Sequence, residues 1–176
     1  MNKSKILLVA ILVLSLLIGV IGLSCRRAPQ LLEPYKLGVV NNTTGWLGIF
    51  GIAQIDGINL AAEVINRGGG VNGHPLVVTW YDGESKADVN ARMARKLIEA
   101  DKVDIMIGPN FTPGIGAIAP LVNEGKIPMM KFGGYVVNPA KDPWIFSMGS
   151  DNFNMAQGMV EYYTKKGYKK IAFLAV

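Results

Sequence analysis

The feature that most limits the fold is a repeated unit: a short apolar run, a polar or glycine-rich turn, then a stretch with helical spacing. Residues 37–40 lead to Ile52, Ile55, Ile58, Ala62 and Ile65, which recur at a helical period. Residues 76–81 precede Val89, Met93, Leu97 and Ile98, and residues 105–107 precede a helical stretch at 112–124. Apolar runs at 128–132 and 144–148, a helical pattern at 154–166 and a last apolar run at 170–176 continue the series. Strands joined through helices must run parallel, and right-handed crossovers then place helices on both faces. The spacing predicts an α/β fold with a doubly wound parallel sheet. The run at 170–176 reaches the end of the sequence with no helix after it, so the chain reads as cut short.

Turn residues mark the boundaries. Gly68-Gly69-Gly70 is expected to end the first helix with a left-handed cap. Ser85, with Asp88 three residues on, reads as the N-cap of the second helix and a near match to a capping box. Thr112 reads as the N-cap of the third, with Pro113 in the first turn, where proline is tolerated. The stretch from Asp104 to Pro120, DIMIGPNFTPGIGAIAP, therefore runs from a buried strand straight into a helix N-terminus. Free backbone N–H groups there converge on one spot. That spot attracts an anion and lies where open α/β sheets hold ligands. Thr112 has two readings, as a plain cap or as a ligand contact through its hydroxyl and N–H.

The first 24 residues stand apart. Lys3 and Lys5 precede an apolar run from Ile6 to Leu23, the pattern of a charged n-region and an h-region. Cys25, the single cysteine, follows at once and suggests lipid attachment after cleavage. The run is also nearly long enough to span a bilayer, so an uncleaved anchor stays open. Either way the body is expected outside the cytoplasm, tethered by lipidated Cys25 or by the leader. Residues 25–34 form a short tether, with Arg26-Arg27 beside lipid headgroups.

Composition excludes several functions. The net charge of +5 includes Lys3 and Lys5, and without them the balance is +3. The basic groups are scattered and form no stripe with interleaved aromatics, so a nucleic-acid partner is not expected. With one histidine, His74, and one cysteine in the leader, neither a zinc site nor a Ser-His or Cys-His nucleophile can be assembled. No metal, catalytic residue or cofactor is expected. His74 reads as a solvent-facing turn residue beside Pro75, and Asp82, Glu84 and Asp88 as capping and solvating acids. Gly114-Ile115-Gly116-Ala117-Ile118-Ala119 matches GxGxxA. Its first glycine falls six residues after Gly108, too late for a dinucleotide turn. It reads as a helix whose small residues pack close to the sheet.

The string GINLAAEVINRGGGVNGHPLVVTWYDGESKADVNARMARKLIEADKVDIMIGP resembles the solute-binding proteins of ABC transporters, of the leucine/isoleucine/valine-binding type. The helix into Ile65-Asn66, the glycine turn, the strand into Asp82, the helix into Leu97-Ile98 and the strand into Gly108-Pro109 come in family order. Gln157-Gly158 and Lys169-Lys170-Ile171-Ala172 also fit, so the resemblance covers Tyr35 to Val176. It implies the first lobe of a two-lobe type I periplasmic-binding-protein fold, with residues 35–150 as the N-terminal lobe and 151–176 as the start of the crossing into the second. It further implies a non-enzymatic receptor that captures an amino acid of branched-chain type, or a similar small solute, and hands it to ABC permease subunits in the membrane. The same fold in a signalling receptor's ectodomain is a second reading, and an extracytoplasmic α/β enzyme a third.

The resemblance also implies the site. The carboxylate of an amino acid would meet Phe111-Thr112. The loop after the fourth strand would accept its ammonium group, and here that loop is Lys131-Phe132-Gly133-Gly134-Tyr135, with Tyr135 where a small hydroxyl residue is usual. Phe50 stands at the family's aromatic position near the first helix start, and Trp46 where proline is common. Tyr135 and Trp46 would stack on an aromatic or amide-type solute, or else lie half exposed on loops.

Overall fold

A computed structural model describes residues 32–149 and 152–172. The described residues from Glu33 onward form one compact unit. The expected leader at 1–24, Cys25, most of the tether and the end of the last apolar run lie outside the described residues.

Five strands, β1 (Tyr35–Asn41), β2 (Leu76–Asp82), β3 (Ile105–Ile107), β4 (Met129–Lys131) and β5 (Ile145–Ser147), form one sheet. Its order is β2-β1-β3-β4-β5, and every pair is parallel. Helices α1 (Gly48–Arg67), α2 (Ala87–Lys96), α3 (Thr112–Gly125) and α4 (Asn152–Lys166) alternate with the strands as the spacing predicts. A wide turn at Leu97–Asp101 extends α2 and stops at Lys102, which is left-handed with φ 57°.

Strand alternation sorts the core onto two faces. Leu37 and Val39 of β1 point to one side and pack with Ile55 of α1, joined by Ile105 and Ile107. Val40 and Met106 point to the other and pack with Ala94, Leu97, Ile115, Ile118 and Val122. Thus α1 covers one face, and α2 and α3 the other. Burying a Leu- or Ile-sized side chain contributes about 1.5–3 kcal/mol, so this two-sided packing holds the layers together.

The α1 face is the thinner cover. Ile49, Ile52, Leu60 and Val64 of α1 are exposed. An apolar groove of about 450 Å³ runs beside it, lined by Ile58, Ala62, Ile65, Leu76, Ile107 and Phe132. Helix α4 buries no residue.

The glycine run after α1 ends the helix with left-handed residues, as expected. Gly68 has φ −76°, and the left-handed conformation falls on Gly69 and Gly70. Gly70 N–H closes the helix end on Ile65 O at 2.9 Å, and a Cβ on Gly70 would strike the His74 carbonyl. His74 is not simply solvated: it is half-buried, its ring lies 4.7 Å from that of Tyr35, and its Nδ1 bonds to Glu33 O at 2.7 Å.

Two glycines of α1 should respond oppositely to alanine. A Cβ on Gly51 would collide with the Asn42 carbonyl, whereas Gly57 is exposed with open space around it. Gly57→Ala is expected to stabilise by roughly 0.5–1 kcal/mol through helix propensity and unfolded-state entropy. Gly51→Ala is expected to destabilise by more than that, both read from urea unfolding midpoints.

Candidate functional site

In this sheet β1 is flanked by β2 and β3, so the connections leaving β1 and β3 diverge to opposite faces. The crevice beyond their C-terminal ends is where open α/β sheets hold ligands. Three loops meet there, after β1, after β3 and after β4.

Buried asparagines join the loops. Asn42 Nδ2 donates to Asn110 Oδ1 at 3.0 Å, and Asn42 Oδ1 accepts from Ser85 N–H and Asn90 Nδ2, each at 2.9 Å. Asn41 Oδ1 accepts from Asn42 N–H at 2.9 Å and from Asn110 N–H at 3.4 Å. Asn41, Asn42 and Asn90 are fully buried. Among the described residues, Asn110 Nδ2 and Asn90 Oδ1 are buried without a partner. None of the four asparagines stands among the sequence candidates. The available signal was Asn90, a polar residue in the midst of the apolar face of α2.

Asp82 ties β2 to the loop after β1. Its carboxylate accepts Thr43 N–H at 2.9 Å, Thr44 N–H at 3.3 Å, the Thr44 hydroxyl at 2.6 Å and Glu84 N–H at 2.9 Å. Burial alone would raise its pKa, but the hydrogen bonds from Thr44, Glu84 and Thr43 outweigh burial and lower it. This corrects the reading of Asp82 as a capping or solvating acid: its partners are loop donors.

Two capping expectations are also corrected. Lys86, not Ser85, occupies the N-cap of α2, and no side chain caps it. Ser85 is left-handed with φ 55°, as is Glu84 with φ 53°. That conformation is costly for residues with a Cβ. It is held because Glu84 N–H binds Asp82 and Ser85 N–H binds Asn42. The Ser85 hydroxyl instead bonds to Thr44 O at 2.8 Å and accepts Leu47 N–H at 3.2 Å, so it works between loops. Similarly, Phe111 is the N-cap of α3, because its carbonyl accepts the first helical bond, from Ile115 N–H at 2.9 Å. Thr112 is already inside the first turn, with no cap bond and an exposed side chain.

Of the sequence candidates, Trp46, Gly133 and Tyr135 lie against Phe111 or α3. Trp46 sits in a 3-10 turn, Gly45–Leu47, and its ring meets that of Phe111 edge-on at 5.9 Å. Trp46 is 71% exposed and Phe50, in the first turn of α1, 61% exposed. Gly133 lies against the loop after β3, where an added Cβ would sit 3.3 Å from Phe111 N and 2.8 Å from the Ile115 side chain. The Tyr135 ring passes over Gly116 of α3, and its hydroxyl donates to Asp142 Oδ2 at 3.2 Å. Burial, with the Asp142 charge and hydrogen bond added, raises the Tyr135 pKa. Gly134 O accepts Asn152 N–H at 3.4 Å. Gly114 packs against Asn90 of α2 and Phe111, while Ala119 lies in the core cluster with Met106 and Met129 of the sheet.

Residues 34–176 match the family of periplasmic binding proteins, and the chain belongs to that family. Its sheet is the first lobe of the type I periplasmic-binding-protein fold. A solute-binding protein of an ABC transporter from Rhodopseudomonas palustris, solved in complex with 4-hydroxybenzoate, superposes with a TM-score of 0.67 at 28% identity over 80% of the chain. A second, from R. palustris BisB5 in complex with 3,4-dihydroxybenzoic acid, gives 0.68 at 26% over 78%. A leucine-binding protein, LivK, from Thermotoga maritima MSB8 gives 0.62 at 26% over 76%. The chain spans 38% of the length of each. Family membership implies an extracytoplasmic location.

The Asp82 bonds set an acid limit. A lowered folded pKa contributes stability that is complete above the ordinary value of 3.8 and is lost as the pH falls through the folded value. Asp82→Asn is therefore expected to be less stable than the parent at about pH 5 and to show a shallower further loss down to about pH 2.5 in urea titrations.

Proposed function

We propose that this chain forms the ligand-gripping lobe of a solute-binding protein that serves an ABC importer. The observation that carries the reading is the convergence at the sheet's switch point. The first turn of α3 offers backbone N–H groups and the Thr112 hydroxyl, the Phe111 ring meets Trp46 beside it, Tyr135 lies over Gly116, and Phe50 is exposed in the first turn of α1. Donors at a helix start suit a carboxylate, and exposed rings suit an apolar body. The neighbours named above include a leucine-binding protein and binders of hydroxylated benzoates, so the solute is a small organic acid, either an amino acid of branched-chain type or an aromatic acid.

The groove beside α1 is a poorer candidate. It is apolar throughout apart from Gln54, and a specific small-molecule site needs several convergent polar groups. In the proposed cycle, the solute docks on residues 35–150, and a second lobe, entered through residues 151–176, closes over it by hinge motion. Permease subunits then receive the closed form. Cys25 or the intact leader would keep the protein at the membrane.

Thermal unfolding of the protein carrying this lobe, screened against amino acids and aromatic acids, tests the reading. A ligand that binds only the folded state raises Tm, so at least one small acid should do so. A panel without any shift would overturn the assignment. With the acid so found, Thr112→Ala is expected to weaken binding by about 1–3 kcal/mol, the loss of a hydrogen bond to a charged group. Calorimetry reads the difference, and an unchanged Kd removes Thr112 from the site.

A further inference from the structure

Between Lys131, the last residue of β4, and Ile145, the first of β5, the chain runs through residues 132–144 without a helix or strand. A loop of that length with no regular structure of its own is uncommon in a compact domain and is usually functional. Within the solute-binding reading, on which this inference rests, the near end of the loop borders the site. Gly133 lies against Asn110 and Phe111, and Gly134 against Asn152. Gly133 O accepts from Lys131 Nζ at 2.8 Å. Neither glycine brings a side chain of its own, so the next anchor along the loop is Tyr135.

Tyr135 is itself held from behind. It packs against the core cluster of α2 and α3, its ring passes over Gly116, and its hydroxyl donates to Asp142 Oδ2 at 3.2 Å. Asp142 is 6% exposed, so its carboxyl group needs protein donors in place of water. Its Oδ2 also accepts Asn138 N–H at 3.1 Å, and its Oδ1 accepts Asn123 Nδ2 at 3.3 Å. Asn123 in turn donates to Lys141 O at 3.2 Å and accepts Trp144 N–H at 3.4 Å. Gly116 and Asn123 share one face of α3, about 10 Å apart along the helix axis. The Tyr135 side chain therefore runs along α3 away from Thr112, and its hydroxyl is spent on the far end of its own loop.

We propose that Asp142 is a positioning residue of the solute site: it latches the Tyr135 hydroxyl along α3 and so fixes Gly133 and Gly134 beside Phe111 at the start of that helix. Solute affinity then depends on a carboxyl group that the solute does not touch. The test uses the isotope-labelled full chain in bicelles, with L-leucine and benzoate as probes. Asp142→Ala should move the Gly133 and Phe111 amide signals before any probe is added. It should also raise the Kd of the probe that binds by about fivefold, the loss of one hydrogen bond. Tyr135→Phe, which keeps the other bonds of Asp142, should raise Kd by a similar factor, and it carries the test if Asp142→Ala does not fold. The double variant should lose about fivefold as well, because both changes remove one contact. Val103→Ala is the stability control, a buried position before β3 at the opposite edge of the sheet, and should leave Kd within about twofold. An unchanged Kd in a folded Asp142→Ala or Tyr135→Phe chain, or unmoved Gly133 and Phe111 amides in a folded Asp142→Ala chain, overturns the latch while the solute site stands. A double variant that loses the product of the two factors, or a Val103→Ala loss as large as theirs, overturns it too. If neither probe moves the Phe111, Thr112 or Gly133 amides of the parent, the solute-binding reading falls and the inference with it.

Discussion

The side chain of Asn42 is the point on which the upper edge of this lobe depends. A single buried amide serves three partners: its nitrogen holds Asn110 after β3, and its oxygen holds Ser85 after β2 and Asn90 of α2. An apolar residue in its place would remove the hydrogen bonds of Ser85 N–H and Asn110 Oδ1, whereas Asn90 Nδ2 also donates to Gly83 O and Lys86 O. The neighbouring Asn41 adds the backbone of Asn110 and reaches Gln54 of α1 at 2.8 Å. The network fixes the first turn of α3 relative to β1, and with it the Phe111 ring against Trp46.

Beneath this polar edge the lobe is conventional in its physics. Apolar side chains on the two faces of the sheet hold the helices, and polar groups concentrate where the strands end. The division follows from the fold. Strand interiors satisfy their own backbone groups, while chain ends at a switch point leave N–H groups and carbonyls that must find partners. Asparagine suits such a place, since it both donates and accepts. The same edge holds the start of α3, where backbone N–H groups carry partial positive charge.

The legible parts of the sequence were those governed by period and by chain punctuation. The alternation of runs specified a parallel sheet with helices on both faces, and all five described strands fall where it placed them. Trp46, Phe111, Thr112, Gly133 and Tyr135 were named from family position; Trp46 meets Phe111, Gly133 borders Phe111 and Tyr135 lies over Gly116. Less legible were the caps. Ser and Thr before a helix are strong local signals, yet the Ser85 bonds run to another loop and Thr112 falls one residue inside its helix. A hydroxyl takes whichever partner the tertiary structure brings, and local pattern cannot weigh a partner about 40 residues away.

Hydrophobic period and glycine placement by themselves determined the fold class, the order of elements and the strand-to-helix turn that carries the site, because these are properties of neighbouring residues. Only the tertiary structure decided that four asparagines share one buried network, that Asp82 anchors a distant loop, and that the Lys131 ammonium turns back onto Gly133. Each of those outcomes depends on which loops the sheet order brings side by side. A buried polar group is then bound by the nearest partner of opposite sense, wherever in the chain that partner lies.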